Sequence, residues 1–188
     1  MQTTIKRSDY RGILHEYRPK QYTMNQKEHT TYTEIERKFL VLNDEYQLQA
    51  YQVMEIEQGY ILRNPDKSVR IRIKGEQAFI TIKGAGSSDG TTRFEWEKII
   101  SIEEARELMK LCEPGAIIKK RYYINYHDHI FEVDEFYGHH KGLVIAEVEL
   151  HSPNESVDLP SWIGQEVTGD VRYYNSYLSE HTYCTGHR

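Results

Sequence analysis

The stretch Glu34-Ile35-Glu36-Arg37-Lys38-Phe39-Leu40-Val41 decides how the rest of the chain is read. Its second half is apolar and β-branched, so it reads as a strand. In a strand, side chains at i, i+2 and i+4 share one face. Glu34, Glu36 and Lys38 therefore project together, while Ile35 and Phe39 face the other way. Two acids and a base make poor core material, because Glu and Lys are rarely buried without partners. Taken alone, the stretch is accounted for by a solvated strand face. Recurrence of the same alternation further along is what asks for more.

That recurrence is extensive. Strands are expected over residues 69–74, 78–83, 92–100, 117–126, 130–136 and 143–150, with a short one over 59–62. One face of this set carries Arg70, Arg72 and Lys74, then Lys83, then Arg93, Glu95 and Glu97. It continues with Lys119 and Arg121, Glu132 and Asp134, and Glu147 and Glu149. The other faces carry Val69, Ile71 and Ile73, Phe94 and Trp96, Ile118, and Val148 with Leu150. Asn43-Asp44 offers a turn and a helix N-cap, and residues 45–58 read as a helix stopped at Gly59. Asn64-Pro65-Asp66 is a turn. Ser101-Ile102-Glu103-Glu104 is a capping box that opens a helix running to about Cys112, and Pro114-Gly115 ends it. From Trp162 onward a short helix, a loop and a C-terminal helix are expected. Residues 1–30 are polar and aperiodic, so they read as an extension to a single domain over 31–188. Met24 is a possible internal start.

Composition narrows the function classes. The chain has 188 residues and a net charge of −5, so no global basic field argues for nucleic acid. Fifteen tyrosines suit an antiparallel β protein. Cys112 and Cys184 show neither metal-ligand spacing nor a disulfide framework. The nine histidines are scattered and read as loop and surface residues. No apolar run suggests a signal segment or a membrane span, so a cytoplasmic protein is expected.

Two arrangements fit the charged faces. In one, an open antiparallel sheet shows them to water and helices cover the apolar side. In the other, the sheet curls into a barrel with the charges inward, which also removes exposed edges. An isolated internal charge is very costly, so such a lumen must hold water, pair opposite charges and bind charged ligands. Six or more strands with both signs interleaved favour the barrel. Converging Arg and Lys suit a polyanion rich in oxygen. The carboxylates cannot bind phosphate, but their hard oxygens suit Mg²⁺ or Mn²⁺. A metal-bound polyphosphate satisfies both sets. No GxxxxGK[ST] loop offers a competing phosphate cradle.

The ordered set of paired charges resembles the CYTH superfamily, the triphosphate tunnel metalloenzymes. Glu34-x-Glu36-x-Lys38 is similar to its ExExK motif. Gln58-Gly59-Tyr60, Val69-Arg70-Ile71-Arg72, Thr81-Ile82-Lys83-Gly84, Arg93-x-Glu95-x-Glu97, Lys119-x-Arg121-Tyr122, Glu132-Val133-Asp134 and Ala146-Glu147-Val148-Glu149-Leu150 follow in order. Glu166-Val167-Thr168 and Arg172-Tyr173-Tyr174-Asn175 also look like the small bacterial members. The resemblance covers residues 32–180. It implies an α+β, mainly antiparallel fold: an eight-stranded closed tunnel barrel with a charged lumen, flanked by helices.

The same resemblance implies roles. Glu34, Glu36 and Glu149 would lead in holding metal, with Glu147 and Asp134 close by. Lys38, Arg70, Arg72, Lys83, Arg93, Lys119 and Arg121 would bind phosphate. Glu95, Glu97 and Glu132 would support them, by orienting the basic residues or holding a second metal. Glu36 or Glu149 would activate water, with Lys38 orienting it. The expected reaction is divalent-metal-dependent hydrolysis of inorganic tripolyphosphate. A nucleoside or thiamine triphosphatase, a class IV adenylate cyclase and a non-catalytic polyphosphate sensor remain open readings. A cyclase would need an adenine pocket, for which no segment stands out. The N-terminal arm departs from the compact members; roles in covering a tunnel mouth or in a homodimer are open.

Overall fold

The computed structural model describes residues 33–182 except Pro65. The extension over 1–30, Met24, Pro65 of the expected turn, Cys184 and His187 lie outside the described residues. Among the described residues, nine strands form one antiparallel sheet. They are β1 (Thr33–Val41), β2 (Gln52–Asn64), β3 (Lys67–Lys74), β4 (Gln77–Gly86), β5 (Thr92–Ile100), β6 (Ile117–Tyr126), β7 (His129–Phe136), β8 (Val144–Glu149) and β9 (Ile163–Glu166). The order is β5-β4-β3-β2-β6-β7-β8-β1-β9, and β5 also pairs with β1. That last pairing closes eight strands into a barrel.

Closure depends on how β1 divides its edges. Glu36 to Leu40 pair with β8 along one edge. On the other edge, Thr33, Glu34 and Ile35 pair with β5, and Phe39 and Val41 pair with β9. The alternation read from residues 34–41 follows: Phe39 is buried outside the barrel wall, while Glu34, Glu36 and Lys38 face the lumen with Arg93, Glu149 and Glu147 opposite them.

Two apolar clusters coat the outside. Phe39, Ile124, Phe131, Val133, Ala146 and Val148 pack beneath Tyr46 and Trp162. Tyr46 belongs to the short helix α1 (Glu45–Gln49). Its hydroxyl donates to Glu135 at 2.6 Å, and Trp162 Nε1 donates to Gln49 at 3.0 Å, so both large rings find partners for their polar ends. The second cluster sets Ala105 of α2 (Ile102–Met109) on Ile71 and Ala78. The expected capping box is present: Ser101 Oγ accepts from Glu104 N–H at 3.1 Å, and Glu104 accepts from Ser101 N–H at 2.8 Å. Ser101→Ala is expected to lower stability by about 1 kcal/mol, measured by urea denaturation.

A third cluster lies inside. Ile117, Phe136, Leu143 and Ile145 pack with Leu178 of the one-turn helix α3 (Asn175–Leu178), and Leu40 and Tyr173 join them. Leu40 and Ile145 pair directly and share the lumen face with Lys38 and Glu147. This apolar group therefore fills one end of the barrel. Gly115, at φ +104°, lets the chain enter β6 close to that end; an added Cβ would lie 1.8 Å from Ser179 O.

Three expectations need correction. Residues 45–58 are not one helix: α1 takes five residues, and β2 runs through 13. Gln, Met and Glu favour helix locally, but β2 has strands on both edges, and that pairing outweighs propensity. The segment after Trp162 is β9, because β1 offers it a free edge beyond β5. His140 does sit in the expected loop, but it is buried against Phe136 at a ring separation of 6.2 Å. Among the described residues, no helix is long and apolar enough to cross a membrane.

Candidate active site

The lumen brings together the charged residues expected there, and all of them except Glu149 and Lys74 engage one another in three linked groups. In the first, Glu34 accepts from Lys83 Nζ at 2.8 Å and from Arg93 Nε at 2.7 Å. Arg93 Nη2 also donates to Glu36 at 2.8 Å, and Lys38 Nζ lies 3.0 Å from the same oxygen. Lys83 reaches Glu95 at 2.6 Å. In the second, Arg72 Nη2 and Thr81 Oγ1 both donate to Glu97 Oε2 at 2.7 Å. Arg70 Nη2 donates to Thr81 at 3.2 Å, with Glu97 and Glu95 at 3.6 and 3.8 Å.

The third group is the deepest. Arg121 grips Asp134 with two parallel bonds, Nε to Oδ1 at 2.7 Å and Nη2 to Oδ2 at 2.6 Å. Lys119 Nζ donates to Asp134 Oδ2 at 2.6 Å and to Asn175 Oδ1 at 3.3 Å. Arg121 also pairs with Glu132 and, at 2.8 Å, with Glu147. Lys38 closes the circuit on Glu147 at 2.5 Å. Asp134 and Lys119 are each 1% exposed, so this pairing is what makes their burial tolerable.

Burial and partners set the protonation states. Burial works to lower the Lys38 pKa, but Glu147 and Glu36 outweigh it and leave it raised. Burial would raise Glu34, yet Lys83 and Arg93 hold it far below the usual range. Glu147 is likewise held low, by Lys38 and Arg121 against burial. Lys119 goes the other way: burial pushes it down to about 8, with Asp134 opposing. Glu149 is pushed up by desolvation, and Glu34, Glu132 and Glu36 add to the rise. It stands exposed at the open end, with no ion pair or hydrogen bond among the described residues. An acid facing three other acids is a place where a cation belongs.

Does the donor set suit a divalent metal? Among the described residues, no three His, Cys, Asp or Glu converge closely enough to hold an ion in this arrangement. The geometry above gives the reason: Glu34, Glu36 and Glu147 are turned toward lysines and arginines. The chemistry nevertheless fits, since Glu34, Glu36, Glu147 and Glu149 offer only hard oxygens, and Glu36 and Glu149 are direct cross-strand neighbours. Asp134 is different, because Lys119 and Arg121 occupy both of its oxygens.

Four further residues join the lumen without any charge to mark them in sequence. Gln58 and Tyr60 face inward from β2, opposite Arg72 and Arg70. Thr81 sits between Arg70 and Glu97, and Asn175 reaches Lys119 from α3. For β2 a period-2 alternation over residues 52–60 was the available signal.

A closed barrel with this interior can be compared with known proteins. The CYTH domain matches residues 32–180. The chain belongs to the CYTH family. Its relatives include a protein named inorganic triphosphatase from Acetivibrio thermocellus, 46% identical over 80% of this chain and 95% of that protein. Another inorganic triphosphatase, from Nitrosomonas europaea, is 36% identical over 78% of this chain and 97% of the relative. A crystal structure of an inorganic triphosphatase superposes with a TM-score of 0.57 at 32% identity, covering 78% of this chain and 93% of that one. The CYTH match thus spans the barrel and its C-terminal plug.

Proposed function

We propose that this CYTH lumen hydrolyses inorganic tripolyphosphate to pyrophosphate and phosphate, with Mg²⁺ or Mn²⁺ as cofactor. One observation carries the reading: seven cations and eight carboxylates share a single lumen, and all of these except Glu149 pair there with opposite charge. The cations are Lys38, Arg70, Arg72, Lys83, Arg93, Lys119 and Arg121. The acids are Glu34, Glu36, Glu95, Glu97, Glu132, Asp134, Glu147 and Glu149. A polyanion alone would strip cations from these acids and leave the acids unpaired. A metal alone would do the reverse to the cations. Bound together, each partner compensates the charges that the other releases, so the two bind cooperatively.

Glu34, Glu36, Glu147 and Glu149 are the residues that would hold metal. A divalent ion held there would supply positive charge against phosphate oxygens and make a nearby water easier to deprotonate. The protein's own groups do the rest. Arg70, Arg72, Lys83, Arg93 and Arg121 hold the phosphates and neutralise charge on the departing pyrophosphate. Lys38, buried and held charged by two glutamates, orients the water against the terminal phosphorus. Glu36 or Glu149 takes the water's proton as the new P–O bond forms and the P–O–P bond breaks. Asp134 fixes Lys119 and Arg121 in place, and the apolar plug excludes water behind them.

The test is phosphate release from tripolyphosphate with Mg²⁺, with Mn²⁺ and with EDTA, and with ATP in parallel. Rapid metal-dependent release, with ATP much slower, is the expected outcome. Cyclic AMP and pyrophosphate from ATP would replace this reading with a cyclase, and tight binding without product would replace it with a sensor.

A further inference from the structure

The lumen face of β2 differs from every strand around it, since Met54, Ile56, Gln58 and Tyr60 carry no charge. Gln58 lies opposite Arg72 on β3 and Ile117 on β6. Cations lie on both neighbouring strands, Arg72 opposite it and Arg70 next along on β3, and Lys119 one inward position beyond Ile117 on β6. Its side chain is fully buried. Among the described residues, Oε1 has no hydrogen-bond partner, and Nε2 reaches only Tyr60 Oη at 3.5 Å, the outer limit of a hydrogen bond. On the facing strand, Arg70 Nε and Arg72 Nε are also buried without hydrogen-bond partners among the described residues.

A buried polar atom without a partner is costly, and native proteins keep few of them. Three such atoms on two directly paired strands mark a place shaped for a polar guest. Guanidinium donors on one side and an amide on the other suit an oxyanion. The amide can turn about its Cγ–Cδ bond to present its NH₂ inward, so all three side chains then donate.

We propose that Gln58 is a substrate-binding residue whose amide donates to a phosphate oxygen held between the β3 and β6 cations. This assignment rests on triphosphate being the ligand of the lumen. A neutral donor serves here where either charge would fail. A lysine would repel Arg70, Arg72 and Lys119. A carboxylate would pair with those cations, as Glu97 already does, and would repel phosphate. The cations supply attraction over a distance, while the amide's directional bond fixes where one oxygen sits.

Two variants of the full chain test it. Gln58→Met keeps the length and removes the polar atoms; Gln58→Glu keeps the shape and adds charge. The readouts are thermal midpoints with and without tripolyphosphate and Mg²⁺, and KM and kcat for tripolyphosphate. Without ligand, Gln58→Met is expected to be at least as stable as wild type, because an unmatched amide has gone. Its KM should rise by about tenfold to a hundredfold, the worth of one hydrogen bond to a charged group, with kcat changing less. Gln58→Glu should raise KM further. A Gln58→Met chain that keeps the full wild-type ligand shift and KM would overturn the assignment, as would one destabilised without ligand at unchanged KM. If tripolyphosphate fails to move even the wild-type midpoint, the triphosphatase reading falls, and Gln58 with it.

Discussion

Glu149→Gln is expected to reduce tripolyphosphate turnover by more than about 100-fold, the upper range for loss of a group that merely supports a metal ligand. The metal-free protein should not lose stability. Both parts follow from the position of Glu149. No lysine or arginine pairs with it among the described residues, and the acids around it, Glu34, Glu132 and Glu36, disfavour its charge, with His151 the smallest influence and opposing them. Gln keeps the shape, removes one negative charge from an acidic corner and leaves no lysine or arginine stranded. Glu36→Gln would instead release both Arg93 and Lys38, so Glu149 gives the cleaner separation of activity from folding.

The pH dependence has a definite sign. A carboxyl whose pKa is raised on folding costs stability once the pH exceeds its unfolded value, and the cost is complete above the folded value. Any stability advantage of Glu149→Gln should therefore be present at neutral pH and vanish as the pH falls below the ordinary carboxylate range. Because Glu149 is exposed, that advantage is small. The decisive readouts are the metal-induced rise in thermal midpoint and kcat with Mg²⁺. An unchanged midpoint shift together with wild-type kcat would remove Glu149 from the metal-holding set.

Much of the barrel was legible because its two faces obey opposite rules. Outward positions such as Phe39, Val133 and Val148 must be apolar to pack under Trp162 and Tyr46. Inward positions must be charged to hold the ligand. That contrast writes a period of two into β1, β3 and β5 to β8. On β2 the rule relaxes: Met54, Ile56, Gln58 and Tyr60 face inward without charge, while Glu55 and Glu57 face out. The alternation survives there but reverses its polarity, and a run of Gln, Met and Glu then resembles a helix. The capping box at Ser101 was readable because both of its bonds are local. The pairing of Trp162's neighbours with β1 was not, because it depends on an edge left open far away in sequence. Which acid serves which cation was also hidden: alternation places Asp134 and Glu147 on one face, but only the fold shows Asp134 fully committed to Lys119 and Arg121.

That commitment makes Asp134 the most consequential single residue for stability. Asp134→Asn leaves two buried cations short of a counter-charge. Breaking a buried pair by removing one partner typically costs about 3–5 kcal/mol. Arg121 retains Glu132 and Glu147, so the greater part of the strain falls on Lys119, which keeps only uncharged contacts among the described residues, Asn175 and the Phe136 ring 5.3 Å away. Burial already holds Lys119 down to about 8, and the loss of Asp134 removes the main attraction opposing that fall. Unfolded Lys119 binds its proton up to a pH near 10.5, whereas folded Lys119 releases it sooner. Stability of the variant should therefore rise with pH between those two values. Urea denaturation at pH 7 and pH 10 reads both effects: a large deficit at pH 7 that narrows at pH 10. Adding Lys119→Met should recover part of the loss at pH 7, because a neutral side chain of similar length no longer needs a partner. A double variant no more stable than Asp134→Asn would place the cost on Arg121 instead, and a single variant as stable as wild type would show that the deep network does not hold the barrel together.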